Sequence, residues 1–298
     1  MANDVALLVK SPADTTANQP PAVRDPMIRP GTKFQFDFTD PRCHPGGVIT
    51  PGVAAVGTVF QSLDVVPVSA VVQANGGTVA VNADGTLDFS GGGGGASGLV
   101  VGGPRQFDMT QAEYERLMTI WFKLPEVGYA TGFYIPLVTL TPTNNNRSHG
   151  TIDMGANGLN PRFAIGNAVA GDTSNGGGPV AIYSGDITRN VVHQLTGRFK
   201  PGQAVELFDN GGAMRRTAAT TQTDLQALGA SDPLLLRVPN VVKMTLYRFG
   251  MVDIDASIAA ETAYGYPAAD VLTGPQHIAD DYKFGTGTLI GAPKAAFA

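Results

Sequence analysis

Cysteine is almost absent from this chain, with Cys43 the only one in 298 residues. No intrachain disulfide can form, and a cysteine-based zinc site lacks its ligands. Glutamate is nearly as scarce: Glu113, Glu115, Glu126, Glu206 and Glu261 are the complete set. Charged residues amount to 15% of the chain, whereas helix-rich soluble proteins spread Glu and Lys freely over exposed faces. That shortage argues against a helical fold. Basic runs are missing too, since Arg215-Arg216 is the only tight pair and the formal net charge is −5. Without a positive patch for phosphates, no nucleic-acid partner is expected. No apolar run approaches the ~18 residues of a membrane-spanning helix, so no membrane insertion is expected. The first ten residues carry Asp4 where a secretory leader wants a base, and their apolar stretch, Val5–Val9, is short for such a leader. These features predict synthesis in the cytoplasm without a signal peptide, and make Asn146-Arg147-Ser148 a chance glycosylation sequon.

What the chain does have is glycine, proline and apolar residues: 38 Gly, 21 Pro and 43% apolar content. With Thr and Val frequent, this is the composition of strands joined by many turns. Residues 1–32 hold Pro12, Pro20, Pro21, Pro26 and Pro30 with little to bury, and predict an extended arm that docks on a neighbouring subunit. Phe34-Gln35-Phe36-Asp37-Phe38 alternates strictly, as a half-buried strand does. Thr78–Val81 and Thr86–Phe89 flank Asn82-Ala83-Asp84-Gly85 and read as a hairpin. A glycine run, Gly91–Gly95, follows, and Leu99-Val100-Val101 resumes strand character. Thr110-Gln111-Ala112-Glu113 has the capping-box pattern of a short helix or turn at about 110–118. Further strands are predicted at Thr119–Leu124, Phe133–Leu140, Thr151–Met154, Arg162–Ile165, Val180–Tyr183, Val191–Phe199, Ala204–Phe208, Leu234–Val238 and Val241–Phe249. A helix over Ala268–Tyr282, led by Pro267 and interrupted at Gly274-Pro275, closes the pattern.

Turn signals about every ten residues, with no βαβ alternation, predict an all-β fold, a two-sheet antiparallel sandwich. The expected organisation is an arm at 1–32, a β-sandwich domain at 33–262 with its core at 105–250, and a C-terminal helical segment and tail at 263–298.

Several constellations invite a chemical reading. Gly93-Gly94-Gly95-Ala96-Ser97-Gly98 matches a dinucleotide-binding glycine pattern, but Leu99–Pro104 cannot form the helix that must follow it, so a flexible loop is expected and no cofactor. Cys43 adjoins His44, yet neighbours on an extended chain point to opposite faces, and Pro41, Pro45, Gly46 and Gly47 predict a surface loop with an incidental thiol. Asp37, Asp40, Asp153, Asp172, Asp209 and Asn210 are scattered over separate loops without calcium-loop spacing, and no metal site is expected. Tyr129, Phe133, Tyr134, Tyr183, Tyr264 and Tyr266 include candidates for stacking on sugars, although aromatics on half-buried strands more often fill the core.

One stretch is more specific. Val191-Val192-His193-Gln194-Leu195-Thr196-Gly197-Arg198-Phe199, a Pro-Gly turn, and Val205-Glu206-Leu207-Phe208-Asp209-Asn210-Gly211 resemble an adjacent strand pair of concanavalin A-like (laminin-G-like) sandwiches. Ile120-Trp121-Phe122-Lys123-Leu124-Pro125 and Leu246-Tyr247-Arg248-Phe249-Gly250 resemble two further strands of that family. The Trp-Phe-Lys-Leu-Pro wording and the proline-rich arm are most similar to sandwich domains of tailed-bacteriophage virion proteins. The resemblance implies a jelly-roll sandwich with His193 packed in the core. It also implies a virion structural protein (tail, fibre or head decoration), homo-oligomeric and bound to other virion proteins. The alternative it implies is a lectin module that recognises a host-surface glycan. Glucanases share this fold, but their Glu-x-Asp-x-Glu strand motif is absent. Glu113-Tyr114-Glu115 lies on the predicted helix and Asp253-Ile254-Asp255 on a predicted strand end, so no enzyme and no catalytic residues are expected.

Overall fold

A computed structural model describes residues 25, 27–64, 67–73, 76–92, 98–101, 115–126, 135–142, 150–154, 161–164, 180–182, 187–200, 203–216 and 234–287. Its first strands are β1 (Thr32–Asp37), β2 (Gly52–Val53), β3 (Val59–Gln61), β4 (Ser69–Gln73), β5 (Val79–Val81) and β6 (Leu87–Ser90). They are followed by β7 (Gly98–Val101), β8 (Arg116–Lys123), β9 (Ile135–Pro142), β10 (Gly150–Met154), β11 (Pro161–Ala164) and β12 (Val180–Ile182). The last are β13 (Val192–Phe199), β14 (Glu206–Asp209), β15 (Ala213–Arg216), β16 (Leu234–Pro239) and β17 (Lys243–Asp253), and then come α1 (Ile254–Ala263) and α2 (Gly274–Gly285).

The strands form two antiparallel sheets. One, of nine strands, runs β15-β14-β13-β8-β17-β6-β5-β2, with β1 also paired to β17; the other, of eight, runs β12-β11-β10-β9-β16-β7-β4-β3. At eleven residues β17 is long enough to take β6 along Lys243–Leu246 and β1 along Arg248–Val252 on the same edge. The inward faces meet as predicted for a sandwich. Phe34, Phe36, Phe89, Phe122 and Phe249 of the larger sheet join Phe60, Leu99, Phe163 and Leu236 of the smaller in one buried cluster. Burying a side chain of this size is worth roughly 1.5–3 kcal/mol, and the alternation of Phe34, Phe36 and Phe38 is what commits β1 to this face.

The predicted hairpin is present. Asn82 N–H donates to Thr86 O at 2.8 Å, Gly85 N–H to Asn82 O at 3.0 Å, and Gly85 takes φ 89°, a conformation open to glycine. The Asn210-Gly211 turn likewise has φ 51° and 76°. The core is wider than 105–250, because β1 and the short strands between 52 and 101 furnish Phe34, Phe60, Val72, Phe89 and Leu99.

The helices also differ from expectation. Arg116–Met118, expected in a short helix or turn over 110–118, are the start of β8; residues 110–114 lie outside the described residues. The chain turns helical at Ile254, because Asp253 caps it by accepting from Ala256 N–H at 3.0 Å. Gly274-Pro275 does not break a helix but opens α2, where Thr273 and Gln276 form the capping box. Residues 25 and 27–32 are not a free arm: Asp25, Met27, Ile28 and Arg29 are buried against their own sandwich. Residues 1–24 lie outside the described residues. No described helix is long and apolar enough to cross a membrane.

Gly197 lets the two sheets approach closely at this point. A Cβ there would lie 2.3 Å from Cδ2 of Phe163 on β11. Gly197→Ala is expected to lower stability by about 1–3 kcal/mol through overpacking, read as a shift of the denaturant midpoint at unchanged slope.

Candidate functional site

The outer face of the nine-stranded sheet is divided along β8. Met118, Ile120 and Phe122 point into the sandwich, so Leu117, Thr119, Trp121 and Lys123 point away from it. Over the Leu117–Trp121 half, α1 and α2 form a cover. Ile278 of α2 packs with Leu117, Phe208, Val252 and Ile254. The Tyr282 ring stacks on Trp121 at 5.8 Å between centroids and 10° between planes.

Asp281 pins this cover. Its Oδ2 accepts from Trp121 Nε1–H at 2.8 Å and from Gln194 Nε2–H at 2.7 Å, and its Oδ1 lies 3.3 Å from Arg248. Arg248, 1% exposed, also meets Asp25 at 2.6 Å and Asp37 at 3.3 Å, and its guanidinium stands 4.9 Å above the Phe284 ring centre. A register shift between Leu246 and Arg248 turns both Tyr247 and Arg248 outward. A second buried pair, Arg29 with Glu261, ties the N-terminal segment to α1, and Arg29 Nη1 donates to Leu272 O at 2.9 Å. Burial, with Arg29 and Arg248 near it, pushes the His277 imidazole down to about 3. Burial pushes the Asp37 carboxyl up, partly offset by Arg248 and Thr39.

Where the cover ends, the sheet face is open. A shallow cleft of about 440 Å³ lies there, floored by Lys123, Thr245, Asp88 and Tyr247 and walled by Asn82, Asp84 and Thr86 of the β5–β6 hairpin. Asp88, Thr245 and Lys123 form one cross-strand row over β6, β17 and β8. Thr245 Oγ1–H donates to Asp88 Oδ1 at 2.6 Å. Asp84 Oδ1 accepts from Thr86 N–H at 3.1 Å and from Thr86 Oγ1–H at 2.7 Å, and Asn82 Nδ2–H donates to Thr86 Oγ1 at 3.0 Å. The wall is thus braced by its own hydrogen bonds, while among the described residues no carboxylate pairs with the Lys123 ammonium. Such a site can accept from and donate to hydroxyls over a floor of paired strands.

The sandwich is similar in fold to solved botulinum neurotoxin binding domains. The receptor-binding domain of the C/D mosaic serotype superposes with a TM-score of 0.52 at 10% identity, over 86% of this chain and 52% of that one. The binding domain of botulinum neurotoxin DC in complex with SialylT superposes with a TM-score of 0.50 at 9% identity, over 78% of this chain and 50% of that one. The chain spans about half the length of these structures, and at such identities the likeness is one of fold alone. No protein-family model matches the chain, and no curated protein does.

The residues singled out from sequence are placed as follows. Cys43 is not a surface thiol: it is fully buried, burial drives its pKa well above the ordinary thiol range, and Asp37 N–H donates to its Sγ at 3.2 Å. His44 is buried too, with Nε2 2.7 Å from Phe38 O. His193 packs in the sandwich between Asp209 (3.2 Å) and Thr188 O (3.0 Å). Asp37 serves Arg248, Asp40 pairs with Arg42, Asp153 with Arg162 and Asp209 with His193, so these carboxylates are held apart in separate interactions. Among the described residues no group of His, Cys, Asp or Glu is placed to hold a metal. Glu115 is engaged by Arg198 and Lys200; Asp253 caps α1 and Asp255 lies in its first turn, rather than sharing a strand face. Tyr264 is exposed on the far end of α1. Glu113, Asp172, Tyr129, Phe133, Tyr134, Tyr183, Asn146-Arg147-Ser148 and the centre of the glycine run, 93–97, lie outside the described residues.

The cleft residues Asp88, Lys123 and Thr245 were not singled out from sequence. Their signal is present in retrospect, as the polar members of alternating strands, but nothing local says that three strands distant in sequence set them side by side.

Two outcomes follow from the cover. Trp121, 1% exposed on the outer face, should give a blue-shifted native emission, and Trp121→Ala should cost about 3–5 kcal/mol in denaturant titration. His277 is neutral when folded, with a pKa near 3 against 6.5 when free. Its contribution to stability is complete above pH 6.5 and is lost as pH falls toward 3, because the unfolded chain then binds the extra proton. Asp37 acts in the opposite sense, losing its contribution as pH rises through its elevated pKa. Comparing His277→Gln with wild type isolates the imidazole: the variant's stability should fall less steeply with acid over this window.

Proposed function

We propose that the chain is a non-catalytic recognition module, a lectin-like sandwich that binds a surface glycan in the Lys123–Asp88 cleft and belongs to a larger virion assembly of the tailed-phage type. The observation that carries the glycan reading is the cleft itself. It is open and polar, its hairpin wall is braced internally, and it stands on β8 and β17, which are buried on both faces beside it. Open polar sites on rigid strands suit sugars, whose hydroxyls need fixed donors and acceptors and offer little apolar area. The likeness to the binding domain solved with SialylT supports the same reading at the level of fold.

A hydrolase is the less favoured reading because Glu115, Asp253 and Asp255 are spent on Arg198, on the α1 cap and on Lys200. The virion placement and homo-oligomeric state rest on the resemblance carried by Ile120–Pro125, Val191–Gly211 and Leu246–Gly250. Mass-spectrometric detection of the chain in purified particles tests that placement.

A glycan array probed with the whole chain tests the binding. Lys123→Ala should weaken any glycan bound by about tenfold, the loss expected for one charge-assisted hydrogen bond, while the thermal midpoint stays put. Release of reducing sugar from bound oligosaccharides would turn the reading toward an enzyme.

A further inference from the structure

The chemistry of the cleft says which sugars fit it. Two carboxylates, of Asp84 and Asp88, line it against one ammonium, of Lys123, so its formal charge is −1. Asp88 lends Oδ1 to Thr245 and Asp84 lends Oδ1 to Thr86, which leaves one oxygen of each carboxylate for a ligand. Asp88 and Lys123 flank Thr245 in register across β17, so their backbones stand about two strand spacings, ~9.6 Å, apart. That span places acceptors on one side of a sugar ring and a donor on the other.

Resting on the reading of the cleft as a glycan site, we propose that its ligand is an uncharged, polyhydroxylated sugar, and that it discriminates against sialic acid and other carboxylated sugars. Hydroxyl groups donate to Asp84 and Asp88 and accept from Lys123, so each polar group of the cleft meets a partner of the right kind. A sugar carboxylate can pair with Lys123, but one exposed ion pair contributes little, and the cleft's formal charge of −1 offers an added negative charge no net attraction. The proposed preference is opposite to the ligand of the neurotoxin domain in complex with SialylT, and it follows from side chains of this chain alone.

The test is a glycan array holding matched neutral and sialylated pairs, at physiological salt. It is run with the wild type, the double variant Asp84→Asn/Asp88→Asn, whose amides keep the acceptors to Thr86 and Thr245, and Lys123→Ala. Equal thermal midpoints certify folding. Neutral members should bind, their sialylated partners should be about tenfold weaker, and the gap should shrink in the double variant. Binding confined to sialylated glycans and lost in Lys123→Ala would overturn this inference and leave the glycan-binding reading intact. Neutral binding that neither variant alters, or a gap that persists in the double variant, would overturn it as well. No binding to any glycan would overturn both.

Discussion

A guanidinium buried as deeply as that of Arg248, 1% exposed, stays protonated and has to meet counter-charge within contact distance. Here the counter-charge comes from three separate stretches of chain. Asp25 precedes the first strand, Asp37 ends β1, and Asp281 lies in the last described helix. Arg248 cannot be accommodated until all three have arrived. A buried ion cluster of this kind adds little net stability over an apolar packing, yet losing one partner is severe, on the order of 3–5 kcal/mol, because a charge is left alone. Its effect is to make one arrangement of the terminal segments much better than the alternatives. Asp281 adds to this by accepting from Trp121 and Gln194, so the same carboxylate reads strands β17, β8 and β13 at once.

The rest of the outer face follows. With α2 pinned over Trp121 and α1 over Leu117, β8 and β17 are buried on both sides for most of their length, a situation more typical of a sheet interior than of one face of a sandwich. The register shift in β17 puts Arg248 under the cover and Tyr247 at its margin. The exposed remnant is the Lys123–Thr245–Asp88 row. The open cleft is therefore what the cover leaves uncovered, and the residue at its edge is chain neighbour to the one that holds the cover down.

How far this was legible in sequence depends on range. Local rules were sufficient for Phe34–Phe38, for the Asn82–Gly85 hairpin and for most of the long strands, at 119–123, 192–199 and 243–249, where alternation and turn chemistry agree. They missed β2, β3 and β4, which are only two to five residues long and lie in a Val-, Gly- and Pro-rich stretch where period-two alternation has no length to show itself. They misjudged residues 25–32 because an arm with few apolar side chains looks unable to fold back. It does so through ions, Asp25 and Arg29, whose partners Arg248 and Glu261 lie more than 200 positions along the chain. Cys43 was misplaced for a related reason. Its Pro- and Gly-rich surroundings suggest a surface loop, but a short 3₁₀ turn there tucks the thiol under β1. The candidate site shares this limit, since Asp88, Thr245 and Lys123 become neighbours only through strand pairing.

That dependence has a consequence for how a ligand would be held. A side chain on a strand buried on both faces has a backbone that is already ordered, so binding need not supply the roughly 1–2 kcal/mol per residue that ordering a loop demands. The hairpin wall is the less enclosed half of the cleft, and it is there that short side-chain bonds, Thr86 to Asp84 and Asn82 to Thr86, substitute for packing. Floor and wall are thus ordered by different physics, one through strand pairing beside the charged clamp and the other through local polar bracing. A polar recognition site needs both, because hydroxyl groups discriminate by geometry, and a donor displaced by an ångström is nearly a donor lost.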